Sequence, residues 1–124
     1  MKNNSITIQE RTKDFAIRVI VAYTEINKRN HFNDASVVLS KQFLRSGTSI
    51  GANVSEAVYA QSNADFVSKY SIALKEASEC KYWCEVMIKA NVLPDQKFKL
   101  LINELEQIIK ILTTIITKLK SKTK

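Results

Sequence analysis

Glycine and proline are nearly missing from this chain of 124 residues, which holds two glycines, Gly47 and Gly51, and one proline, Pro94. Turns draw heavily on these residues, so their scarcity argues against a turn-rich fold and for an all-helical chain with few breaks. Histidine is as scarce as proline: the single one, His31, sits in a polar stretch that reads as a connection. A carboxylate metal centre in a helical bundle takes Glu-x-x-His elements on two helices, and Glu76-x-x-Glu79 has no histidine, so no metal and no cofactor is expected. Ser46, Ser49 and Ser55 likewise have no histidine base in the same element, which leaves nucleophilic catalysis without support. The run Gly47 to Gly51 has neither the Gly-Lys-Ser/Thr ending nor the preceding strand of a phosphate loop. Cys80 and Cys84 are one helical turn apart, a poor geometry for a disulfide, and read as small core residues in a reducing cytoplasm. No apolar run approaches the roughly 20 residues of a membrane span, and Met1 to Ser5 lacks a signal core. A protein that is neither secreted nor membrane-spanning is expected.

Apolar residues make up 45% of the chain, enough for one domain over residues 1–124 to bury a core without disulfides or metal. They fall at helical spacing in four segments, at about 8–27, 36–60, 63–90 and 95–120. In the first, Phe15, Val19, Ala22 and Ile26 form a stripe that Ile8, Ile20 and Tyr23 widen. The second contains both glycines, yet Leu39 and Ile50 keep helical phase across them, as do Phe43 and Val54, because eleven residues are close to three turns. One continuous helix is therefore expected, capped by Asp34 or Ser36, with Gly47, Gly51 and Ser55 on a smooth ridge. Each glycine costs a helix about 1 kcal/mol against alanine, so the ridge must serve a close approach of another backbone.

The third segment starts at Ser62-Asn63-Ala64-Asp65, which resembles a capping box. Its apolar residues, Phe66, Tyr70, Ala73, Ala77, Cys80, Cys84 and Met87, alternate at spacings of four and three. Ala73 and Ala77 make the middle of that seam small, and the glycine ridge is expected to nest there. Pro94 is suited to the first turn of the fourth helix. That helix carries three apolar series: Phe98, Leu105, Leu112 and Leu119; Ile102, Ile109 and Ile116; and Leu101, Ile108 and Ile115. A simple seam needs two, so the surplus points to packing beyond the bundle, with Ile108, Ile115 and Trp83 as expected subunit contacts.

The run from Leu44 to Ala57, then Asp65-Phe66, Lys69, Ile72 to Ala77, Glu79 and Tyr82-Trp83, closely resembles the four helix bundle protein family, also called the 23S ribosomal RNA intervening-sequence protein family. The likeness is specific over helices two and three, while helices one and four agree in length and apolar pattern. Cys84 stands where leucine commonly follows the family's Tyr-Trp, a packing change. The resemblance implies a bacterial, up-and-down antiparallel four-helix bundle that assembles into a homopentameric barrel. Some members are encoded within ribosomal RNA intervening sequences. A related protein is the accessory subunit of diversity-generating retroelements, where a basic barrel is thought to engage a reverse transcriptase and nucleic acid.

The remaining polar residues divide into two groups. Arg45, Asn53, Glu56, Lys69 and Glu76 read as a structural network, Arg45 and Lys69 pairing with Glu56 or Glu76, since buried charges need partners. Arg11, Arg18, Lys28, Arg29, Lys110, Lys118 and Lys120 belong to a net charge of +7 and are the expected nucleic-acid contacts. The expected function is thus a non-enzymatic homo-oligomer that binds RNA, DNA or a ribonucleoprotein by charge and shape. The alternative is a scaffold that docks an acidic protein such as a reverse transcriptase.

Overall fold

The computed structural model describes residues 6–28, 34–92 and 94–122. The first helix, α1, spans Ile8–Asn27. Its start is fastened by a capping box: the Thr7 hydroxyl accepts from the Glu10 amide at 3.1 Å, and the Glu10 carboxylate accepts from the Thr7 amide at 3.4 Å. Ile8, Thr12, Phe15, Val19, Ala22 and Ile26 form its buried stripe. Ile20, expected to widen that stripe, is 48% exposed.

Helix α2 spans Asp34–Ala57 and runs unbroken through both glycines. Asp34 and Ser36 lie inside its first turn rather than capping it, and the position before Asp34 is outside the described residues. The helix stops three residues short of expectation. Amides of Val58, Tyr59 and Ala60 turn to carbonyls three residues back, Ser55, Glu56 and Ala57, which tightens and ends the last turn.

Helix α3 spans Asn63–Lys89. Half of the expected capping box is present: Ser62 accepts from the Asp65 amide at 3.1 Å, but the Asp65 carboxylate accepts from Gln61, at 3.2 Å, instead of Ser62. Its end is a Schellman motif. Asn91 takes the left-handed φ of 58°, its amide donates to Ile88 at 3.1 Å, and the amide of Val92 donates to Met87 at 3.1 Å. Helix α4 spans Asp95–Lys122. Pro94 sits one residue before it, not within its first turn, and offers its carbonyl to the Lys97 amide at 3.2 Å.

The helices pack in sequence, α1 on α2, α2 on α3, α3 on α4, and α4 back on α1, as an antiparallel up-and-down bundle. Diagonal helices meet through side chains at the centre, where the Phe43 ring stands edge-on to Phe98 at 5.7 Å. The α3 seam is buried as its spacing predicts, from Tyr70 through Met87.

The glycine ridge has a different neighbour from the one expected. A Cβ on Gly51 would lie 3.1 Å from the carbonyl oxygen of Thr12, and one on Gly47 would lie 2.7 Å from Val19 Cγ2, both on α1. The close approach is therefore α2 to α1, and the fully buried Ala73 and Ala77 serve the α3 side of the core. Spacing reveals that a face is smooth, but each helix of a bundle has two neighbours, and sequence phase does not choose between them. Ser55, the third member of the ridge, is exposed at the rim of an outer groove between α1 and α2.

Candidate functional site

Beyond Glu106 the sequence contains five lysines and no acidic residue. Lys110, Lys118, Lys120 and Lys122 are therefore carried on the last turns of α4, and all four are exposed. Lys110 and Lys118 have no ion pair among the described residues. Elsewhere much of the basic charge is matched locally. The Arg11 guanidinium grips Glu104 of α4 with two hydrogen bonds, 2.6 Å from Nε and 3.0 Å from Nη2, and that bond to Glu104 raises its pKa. Arg11, expected among nucleic-acid contacts, thus spends its geometry on holding two helices together. Lys97 pairs with Glu25 at 2.5 Å, Lys81 with Glu106 at 3.4 Å, and Lys99 with Asp95 at 3.6 Å.

The expected nucleic-acid set does not form one patch. Because α1 and α4 are antiparallel, exposed Lys28 lies at the end opposite Lys118 and Lys120, and Arg18 lies between, on the seam of α1 and α4. Arg29 and His31 fall outside the described residues.

The polar network forms in the expected pairs and gains two members. Arg45 Nη2 donates to Glu79 at 2.6 Å and Nη1 to Glu76 Oε2 at 3.3 Å, while Lys69 donates to Glu56 at 2.9 Å. Glu76 Oε1 lies 3.2 Å from Arg45 but off the line of its N–H bonds, so charge alone holds this buried oxygen. Trp83 Nε1 donates to Glu79 at 3.1 Å; this bond, and then the one from Arg45, hold the carboxyl below its usual range. Asn53 stands apart, its side-chain amide donating to the Ser49 carbonyl of its own helix at 2.9 Å. These contacts pin α2 to α3. Cys84 is fully buried, and a hydrogen bond with Cys80 together with burial pushes its thiol far above the usual range, the opposite of a reactive cysteine. Among the described residues no cluster of His, Cys, Asp or Glu could hold a metal ion, and no helix is long and apolar enough to cross a membrane.

The apolar surplus is also redistributed. Ile108 is fully buried within one chain and so cannot be a subunit contact, whereas Ile115 and Trp83 are half-buried. What remains outside is mainly on other elements: Ile17, Ile20 and Val21 of α1 are 55%, 48% and 60% exposed, Leu100 of α4 is 54% exposed, and Tyr82 of α3 is 57% exposed. Sequence reasoning missed this second stripe on α1. Its signal was present, since Ile17, Ile20, Val21 and Thr24 recur at three, four and seven positions on the side away from Phe15 and Val19.

No curated protein matches this chain. Its fold is similar to the crystal structure of a protein of unknown function from the S23 ribosomal protein family of Bacteroides thetaiotaomicron VPI-5482, with a TM-score of 0.80 and 41% identity over 89% of this chain and 98% of that one. Residues 4–114 match the 23S rRNA-intervening sequence protein family. With the match running from before α1 into the last turns of α4, and a 41% identical relative sharing the bundle, the chain belongs to the 23S rRNA-intervening sequence protein family.

Proposed function

We propose that this protein is a non-enzymatic homo-oligomeric bundle, a ring such as a pentamer, that holds nucleic acid, RNA or a ribonucleoprotein, through its phosphates. The observation that carries the reading is the end of α4: Lys110, Lys118 and Lys122 are exposed on it, and the sequence has no Asp or Glu after Glu106. Lysines placed this way supply point charges for phosphates without reading bases, and copies in a ring multiply the field.

Salt titration of binding to single-stranded RNA tests this directly. The logarithm of affinity should fall linearly with the logarithm of salt, and Lys110→Gln with Lys118→Gln should reduce the slope by about 0.7 for each phosphate contact removed. Absence of RNA and DNA binding at low salt overturns the nucleic-acid reading. Retention of an acidic protein by the same lysines in that case supports the scaffold reading instead.

A further inference from the structure

Two exposed apolar faces lie on diagonal corners of the bundle, and they differ in chemistry. On α1, Ile17, Ile20 and Val21 make an aliphatic stripe that Leu100 of α4 extends across a shallow groove of about 310 Å³, with Arg18 on its rim. On α3, Tyr82 and Val86 form an aromatic and aliphatic face with Glu85 and Lys89 on its rim. Arg18 and Glu85 are both exposed, and neither has an ion pair among the described residues.

The internal ion pairs place these two charges at the same height along the bundle. Arg18 is midway between Arg11 and Glu25, whose partners on α4 are Glu104 and Lys97, so it stands beside the turn of Leu100 and Leu101. Glu85 is one turn beyond Lys81, whose partner is Glu106, so antiparallel packing sets it beside Leu101 and Ile102. At 1.5 Å per residue the two levels agree to within about one turn. Copies ranged side by side around an axis parallel to their helices must join through two different patches at equal height, since a cyclic ring of more than two members is built from heterologous contacts.

We propose that the outer stripe of α1 with Leu100 docks on the Tyr82 and Val86 face of α3 in a second copy of this chain, with Arg18 paired to Glu85 across the junction. The inference rests on the self-assembly in the proposed function and names the two faces that perform it. The heterologous contact sets Arg18 opposite Glu85 at the same height and buries both apolar faces.

Charge reversal tests the junction by native mass and sedimentation. The unaltered chain should run at a multiple of 14.1 kDa, Arg18→Glu and Glu85→Arg should each raise the concentration at which it assembles at least tenfold, and the double reversal should return it toward the starting value. Because all the altered sites are exposed, circular dichroism melts of the variants should keep a cooperative helical transition. A mixing experiment gives a second readout. Ile17→Asp chains, with the α1 face spoiled, and Tyr82→Asp chains, with the α3 face spoiled, should each be monomeric and should form a one-to-one heterodimer when mixed, through the one intact junction. Assembly unaffected by either reversal, a double reversal no better than the singles, or mixed chains that stay monomeric overturns these faces while leaving self-assembly standing. A chain that stays at 14.1 kDa at every concentration overturns both.

Discussion

Helix α1 is held in two different ways on its two sides. Toward α2 it meets backbone: Gly51 leaves room for the Thr12 carbonyl, and Gly47 leaves room for Val19. Toward α4 the packing is the sparsest of the four interfaces, and the ion pairs of Arg11 with Glu104 and Lys97 with Glu25 bridge it. A contact made by removing side chains tolerates no added atom, whereas one made by long side chains over a groove tolerates exchange. The bundle is therefore rigid along α1 and α2 and adaptable along α1 and α4, where the exposed aliphatic stripe lies.

The rigid side should break hardest. Gly51→Leu places carbon against a carbonyl that cannot turn aside, and we expect a loss of about 3 kcal/mol, seen as a melting temperature lower by roughly 10 °C. An unchanged melt would mean that α1 is not seated on the ridge. Gly47→Ala should cost less, because its obstacle is a side chain, and Val19→Ala in the same chain should recover about 1 kcal/mol of the summed single losses, measured as a double-mutant cycle in denaturant.

The adaptable side should yield far less. Removing the Arg11 and Glu104 pair by Arg11→Gln should cost about 1 kcal/mol or less, since both side chains retain solvent exposure, and the loss should shrink with added salt. A loss as large as that of Gly51→Leu would erase the distinction between the two sides.

The smallest effect is expected at the network between α2 and α3. Hydrogen bonds from Trp83 and Arg45 hold the Glu79 carboxyl below its ordinary value, so it adds stability above the usual carboxylate range, and that contribution disappears as pH falls through its lowered value. Trp83→Phe removes the first of these bonds. Unfolding free energies measured from pH 6 to pH 3 should then show a shallower acid loss than the unaltered chain.

Much of the architecture was legible in residue spacing. The stripe of Phe15, Val19, Ala22 and Ile26, the seam from Tyr70 to Met87, and the continuity of helix two through Gly47 and Gly51 all follow from a period of 3.6, and burial confirms each. That Arg45 and Lys69 would pair with Glu56 or Glu76 was legible; which cation takes which carboxylate, and that the pairs lie at the surface, was not. Less legible were the ends and the surface. Thr7 with Glu10 is a capping box ahead of the first apolar stripe, and the Pro94 carbonyl precedes its helix rather than entering it. Arg11 was grouped with phosphate contacts because no local pattern distinguishes a solvated arginine from one whose carboxylate partner is 93 residues away.

By itself the chain's order of residues determined four helices, their apolar faces, the smooth ridge at Gly47 and Gly51, and an α4 ending rich in lysine and empty of acid. Those properties are periodic or compositional, so they exist within each segment alone. Tertiary structure decided that the ridge faces α1, that Ile108 is inside while Ile17, Val21 and Leu100 are outside, and which cations have carboxylates beside them. Such outcomes depend on which faces of separate helices meet, and that choice is made by the packing of the whole bundle rather than by any one of its parts.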